Sequence, residues 1–191
     1  MIKVNLAMLT MAEKFTSKGG NGENTGGVAI EPSPEGGALI VATNGHIMCV
    51  LHDKNAVISV PVFVDVRPKK GGRSAHIVEF DQLNPFWQNA NGCEVRMRTS
   101  KIINWRKPMH GWDALSEKRQ TVHFNDCLLR KICKAVSKYS GAPAHPLLIP
   151  AHEGCGIAVT FEWLRDGFFI LMPMRGNSDM TVPLSAEVLG M

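Results

Sequence analysis

The sequence predicts an α+β protein of antiparallel sheets with few helices, on three observations. Short apolar runs alternate with turn-rich segments through the first hundred residues, only one stretch holds a helical period with two chemically distinct faces, and no apolar run reaches the ~18 residues of a bilayer span. The 191 residues, 45% hydrophobic and 20% charged, describe a folded soluble chain with room for one good core or two small ones. A net charge of +4 is compatible with a nucleic-acid partner. The first residues lack a basic region followed by an apolar stretch, so the expected location is cytoplasmic, with no membrane contact. Cys49, Cys93, Cys127, Cys133 and Cys155 are odd in number and scattered, as suits reduced thiols.

Taken in order, residues 2–6 read as a strand and 9–18 as a short helix that ends in the turn-rich run GGNGENTGG. VAI at Val28, ALIVAT at Ala38, HIMCVL at His46 and VISVPVFVDV at Val57 are strands of an antiparallel meander. Asn44-Gly45 forms the tight turn between the second and third. RPKKGGRS is an exposed loop. HIVEF follows, then CEVRMRT and KIINWRK joined at Ser100-Lys101. In CEVRMRT, Glu94, Arg96 and Arg98 alternate with Val95, Met97 and Thr99, which marks a half-buried strand whose charged face is solvated. Residues 107–119 are polar and turn-prone, an interdomain linker. Beyond them the pattern restarts as a strand at 121–124, a helix, and strands at Leu147, Ile157 and Phe168. Both halves thus open with strand, helix and hairpin strands, a weak structural repeat without repeated residues.

The second helix, DCLLRKICKAVSKY over 126–139, carries the chemistry. At about 100° per residue, Leu128, Leu129, Ile132, Cys133, Ala135, Val136 and Tyr139 share one side. Arg130, Lys131, Lys134 and Lys138 fall on the other, with Asp126 at the start where the helix dipole favours it. Such a face suits a polyanion, and a solvated face without a ligand fits the helix alone equally well.

VATNGHIMCV (41–50) resembles the V-A-T-D-G-H-R-L segment of the bacterial DNA polymerase III beta subunit, the sliding clamp, and FFILMPMR (168–175) resembles the clamp's M-P-M-R carboxyl end. KPMHGWDAL is more loosely similar to the linker before the clamp's last domain, and VHFNDCLLRKICKAV to a domain's strand and DNA-facing helix. The order of the four pieces is the family's order. The best match is to a shortened clamp-like protein of the kind carried by phages and prophages, with residues 1–115 as a clamp-like domain and 116–191 as a partial clamp-like repeat with a C-terminal extension.

The resemblance implies a DNA-clamp architecture, sheets outside and helices facing duplex DNA, and a processivity accessory with no catalytic centre and no cofactor or metal. Double-stranded DNA would meet Arg130, Lys131, Lys134 and Lys138. DNA polymerase or clamp-loader-like proteins would insert short linear motifs into an apolar cleft with Thr43, Gly45, His46 and Met48 on one wall and Ile170, Met172, Pro173, Met174 and Arg175 on the other. At this length the chain would enclose a duplex as a homo-oligomer, pairing edge to edge through His76 to Phe80 or the Phe168 strand. Asn44, Ile47 and Met48 depart from the family's Asp, Arg and Leu, so the turn loses two charges. Residues 176–191 continue past M-P-M-R, to lie over the cleft, join a neighbour or remain disordered.

Two other classes remain open. A monomeric clamp mimic would keep the cleft without encircling DNA, and a small nucleic-acid-processing enzyme would use the histidines with Glu153, Glu162 and Asp166. His145, His152 and Cys155 are the nearest approach to a zinc set, without a Cys-x-x-Cys pair, and Cys155 with His123 or His152 lacks the surroundings of a known nucleophile motif.

Overall fold

A computed structural model describes residues 1–17, 25–69, 76–99, 104–106, 124–150 and 156–172. The elements within them are β1 (Ile2–Asn5), α1 (Leu6–Glu13), β2 (Val28–Pro32), β3 (Ala38–Thr43), β4 (Ile47–Asp53), β5 (Val62–Pro68), β6 (Ile77–Phe80), β7 (Gln88–Ala90), β8 (Cys93–Met97), α2 (Asp126–Ser140), β9 (Pro146–Pro150), β10 (Ile157–Phe161) and β11 (Gly167–Leu171). The fold is mostly antiparallel sheet with two helices, as the apolar runs predict. The connection at Ser100-Lys101, the 107–119 linker and residues 121–123 of the expected strand lie outside the described residues.

Nine strands form one sheet in the order β7-β8-β5-β2-β3-β4-β11-β10-β9, and β1 pairs with β6 in a second, two-stranded sheet. Two helix-then-meander units, α1 with β2-β3-β4 and α2 with β9-β10-β11, meet where β4 and β11 pair antiparallel, from Ile47↔Leu171 to Leu51↔Gly167. Residues on either side of position 115 therefore share a sheet. Because β11 has β4 on one side and β10 on the other, it offers no free edge, which corrects the expectation that the Phe168 strand pairs with a neighbouring copy. Among the described residues, the free edges of the large sheet are β7 and β9.

Side-chain alternation divides the sheet into two chemically different faces. Ile30, Ile40, Leu51, Val64, Val95 and Phe169 point to the helix side and build the main core with Leu9, Phe15, Ile132 and Val136. Phe15 packs on Phe169 with ring centroids 5.3 Å apart, and Phe161 meets Phe169 edge-on at 6.0 Å. Burying a ring of this kind contributes about 1.5–3 kcal/mol. Cys49 and Cys93 are buried free thiols, and burial pushes the first well above the usual thiol range and the second to about 11.

α1 begins three residues earlier than the sequence predicts. Asn5 closes its start, its side-chain oxygen accepting from Ala7 N at 2.9 Å and Met8 N at 3.1 Å, and the following LAMLTMAE consists almost wholly of strong helix formers. Strand β7 is unanticipated: only three polar-to-small residues long, it is held to β8 by the Asn91-Gly92 turn. The predicted strand at Val57 begins only at Val62. Before it, Val57 makes a single bridge to β1, exchanging backbone bonds of 3.0 and 2.9 Å with Lys3. Among the described residues no helix is long and apolar enough to cross a membrane.

Gly36 and Gly37 close the β2–β3 turn, and their neighbourhoods differ. Both hold positive φ, at 89° and 71°, but a Cβ on Gly36 meets open space whereas one on Gly37 collides with the backbone of Asp53 and Lys54. Gly37→Ala is therefore expected to destabilise the chain by about 3 kcal/mol or more, and Gly36→Ala by about 1 kcal/mol, read from urea unfolding midpoints. Equal losses would show that backbone strain alone, and not the contact with Asp53, restricts this turn.

Candidate nucleic-acid interface and partner cleft

α2 runs from its cap at Asn125, whose side chain accepts from Cys127 N at 2.9 Å, to Gly141, which ends it in a left-handed conformation. Ile132, Ala135 and Val136 are buried beneath it, and Arg130, Lys131, Lys134 and Lys138 are all exposed. The four cations differ in how they are held. Arg130 pairs with Asp126 one turn earlier at 3.0 Å, an exposed pair of little energetic weight. The Lys131 ammonium lies 5.6 Å from the centre of the Phe15 ring. Lys134 and Lys138 have no ion pair among the described residues.

Sequence periodicity missed a fifth cation, Lys14, which caps the end of α1 and lies near Lys138. Burial, the larger cause, and then the Lys138 charge push its ammonium below the usual lysine range, with Glu13 opposing. A lowered lysine pKa means the charged form is disfavoured in the fold: this unfavourable contribution is present where Lys14 is protonated and fades as pH rises through its depressed pKa. A polyanion over this spot would relieve the repulsion. No pattern in α1 points to Lys14, because that helix is apolar nearly all round.

The segments ATNGH and FFILM, more than a hundred residues apart, are neighbours in space. Ile170 stands opposite Met48 and Leu171 opposite Ile47, and Met172 N–H donates to the His46 carbonyl at 2.9 Å. The turn is tightly determined. Thr43 Oγ1 donates to Ile47 O at 2.9 Å and accepts from Gly45 N at 3.0 Å, while Asn44 Oδ1 accepts from both His46 N and Ile47 N at 2.9 Å. Gly45 takes a φ of 85°, open to glycine at no cost. Asn44 thus supplies the same carbonyl-type acceptor that an aspartate would, and the turn keeps its shape without the charge.

Met48 and Ile170 belong to a second apolar cluster on the sheet face away from the helices, with Val41, Val50, Phe63 and Trp105. Phe168, Met172 and Leu39 lie at its margin and are half-buried. The expected walls therefore differ in access: Met48, Ile170 and Thr43 are buried, Gly45 and His46 are exposed, and Met172 is intermediate. Pro173, Met174 and Arg175 lie outside the described residues, as do residues 176–191. Trp105, absent from the expected site, is 5% exposed, and its indole Nε1 is the one buried side-chain polar atom without a hydrogen-bond partner among the described residues. Arg106 anchors this segment by stacking on the Trp105 ring at 4.1 Å and pairing with Glu31 at 2.8 Å. A lone tryptophan followed by arginine in KIINWRK is the only sequence signal for it.

The remaining candidates are dispersed. Asp166 is engaged by Lys54 and its carbonyl accepts from His52 N, while Glu162 is exposed in the same β10–β11 turn. His145 is exposed ahead of β9, and His123, His152, Glu153 and Cys155 lie outside the described residues.

No protein-family model and no curated protein matches the sequence. A solved structure does: a chain from Eubacterium rectale ATCC 33656, provisionally assigned as a DNA polymerase III beta subunit, is similar with a TM-score of 0.58 and 11% identity over 92% of this chain. This chain spans 66% of that one's length. At this identity the likeness shows the fold, which is clamp-like.

Proposed function

We propose that this chain is a non-catalytic, DNA-clamp-like accessory of replication that holds duplex DNA against α2 and receives partner peptides on the opposite face of its sheet. The observation that carries this reading is the exposed cationic face of α2, joined by Lys14, on the helix layer of a clamp-like sheet. Cations spaced along a helix attract phosphates without reading bases, so the protein stays bound while it moves along the duplex. The partner cleft is the margin of the outer apolar cluster, where His46 is exposed and Met172 and Phe168 remain partly accessible. The partners are polymerase or clamp-loader-like proteins. We place the boundary near residue 115 between two clamp-like repeat units, the second carrying the extension. The location is the cytoplasm.

Replacing Lys131, Lys134 and Lys138 with Glu is expected to weaken duplex binding and to lower the log–log salt slope by about 2–3. The fold should survive, since all three residues are exposed, although Lys131 gives up its position over the Phe15 ring. Circular DNA is compared with linear DNA so that topological retention does not mask the loss. A triple variant with unchanged salt-dependent affinity would remove α2 from the interface.

In this reading further copies of the sheet close the ring around the duplex, and the edge offered is β9, where Leu147, Leu148 and Ile149 are all exposed. Light scattering of the size-fractionated protein is expected to show a multimer, promoted by DNA. A monomer at high concentration with and without DNA would count against the ring and favour the mimic that binds partners alone.

A peptide with a glutamine, a leucine and a terminal aromatic residue is expected to bind in the micromolar range or more weakly, about −8 kcal/mol or less favourable. Met172→Ala should cost about 1–3 kcal/mol of that affinity with stability little changed. Met48→Ala, at a buried position, should instead lower stability by about 2–5 kcal/mol. Amide-exchange protection at Met172 and His46 reports the contact; its absence with every replication partner tried would reject the cleft.

A further inference from the structure

We infer that Trp163, in the β10–β11 turn, is a stacking platform for an unpaired DNA base, so that a single strand leaving the duplex on α2 is held as well as the duplex itself. This rests on the reading of α2 as a duplex-binding face and adds a second kind of substrate to it. The ring is 41% exposed although the turn that carries it is anchored, since Leu164 is buried and its N–H donates to the Phe161 carbonyl at 3.0 Å.

The platform grows out of the core. Phe15, which lies under Lys131, packs on Phe169, Phe169 meets Phe161 edge-on, and Phe161 meets Trp163 with ring centroids 6.3 Å apart and planes at 39°. Trp163 is also nearly parallel to Tyr139, at 11° and 6.3 Å, which sets it beside the last turn of α2. A single exposed aromatic residue needs no explanation. A tryptophan oriented by two neighbouring rings at the flank of a cationic helix is different: its rotamer freedom is already restricted, and it presents an apolar surface to whatever lies along that helix.

Charge selects the ligand. Lys138 immediately precedes Tyr139 and is exposed. After burial, its charge is the next cause that lowers the Lys14 ammonium, and it outweighs the opposing Glu13, so the field at Lys14 is positive. The carboxylates near the aromatic pair are engaged. Burial, then the Asp53 and Asp166 charges, push the Tyr139 hydroxyl above its usual range; Asp53 is buried and accepts from Asn5 N at 2.7 Å and Asn55 N at 3.1 Å, and Asp166 is paired with Lys54. Glu162 and Arg165, both exposed, flank Trp163 with opposite charges. Cations with an aromatic surface at their margin meet the two needs of a single strand, a track for its phosphates and a face on which a base stacks, and neither reads sequence. An apolar protein segment would use the ring and not the lysines, and its binding would respond little to salt.

The test is fluorescence anisotropy of the full chain with a blunt duplex, the same duplex carrying an oligothymidine tail, the duplex with an abasic tail, and oligothymidylate alone. The thymidine tail is expected to tighten binding about tenfold over the blunt and abasic-tailed duplexes and to quench tryptophan emission. Trp163→Ala should remove that advantage and leave blunt-duplex affinity as it is. Trp163→Phe, which keeps a ring in the same packing, should retain most of the advantage and lose the quench, with thermal unfolding close to the parent's. Binding of oligothymidylate through Trp163 without binding of the blunt duplex would reject the duplex reading of α2 and uphold the platform. The inference is overturned by equal affinity for blunt and thymidine-tailed duplex, by an abasic tail that serves as well, by an advantage undiminished in Trp163→Ala, by no binding of any thymidine probe, or by self-association that Trp163→Ala abolishes while the tail has no effect.

Discussion

The ladder between β4 and β11 is the constraint on which the remaining architecture rests. Five residue pairs tie the end of the first meander to the last strand of the second, and the order β2-β3-β4-β11-β10-β9 follows from that join. Because each meander follows its own helix, the join also brings α1 and α2 onto one face, where Phe15 and Phe169 pack across it. It puts the Thr43-to-His46 turn beside Met172 on the other face. The cationic face and the outer apolar cluster are thus two results of one strand pairing, on opposite sides of the same sheet.

Strand pairing of this kind allows little slippage. Ile47, Cys49 and Leu51 face the helices while Met48 and Val50 face outward, so a shift of one residue would exchange the two sets. Both sets are apolar, and alternation alone would leave the register weakly determined. What fixes it is polar: the bonds of Thr43 and Asn44 inside the turn, and the bond from Met172 N to His46 O just beyond the last pair. The outer face then changes character along the sheet, from the Asp65 network on β5 and β8 through Glu31 with Arg106 to the apolar ground around Met48.

Much of this was legible in the residues. The meander strands announced themselves as apolar runs, and α2 extends one residue past its predicted end because Asn125 and Gly141 are strong local signals at its boundaries. α1 was misplaced for a complementary reason: an apolar helix that packs on most sides has no amphipathic phase, and only the Asn5 cap marks its start. β7 is too short and too polar to be seen, though Asn91-Gly92 beside CEVRM was a usable hint. Arg96 and Arg98 read as a solvated face because the alternation fixes their side of the strand but not their neighbour. Asp65, some 30 residues away, becomes their partner only once β5 and β8 pair. Likewise ATNGH and FFILM stood out as motifs, but the register joining them is a long-range fact that no local pattern encodes.

That register also has a consequence in time. Leu51 and Gly167 are more than a hundred residues apart in the chain, so β4 emerges from the ribosome long before β11 exists. At ~5–20 residues per second the gap lasts roughly 6–24 seconds, and through it the IMCVLHD strand has β3 on one side and an unpaired apolar edge on the other. A nascent chain in this interval is a template for wrong strand addition, and each additional residue inserted between β4 and β11 prolongs its exposure. Synthesis rate and chaperone supply, as much as the equilibrium stability of the finished sheet, then govern how much of this protein reaches its folded form.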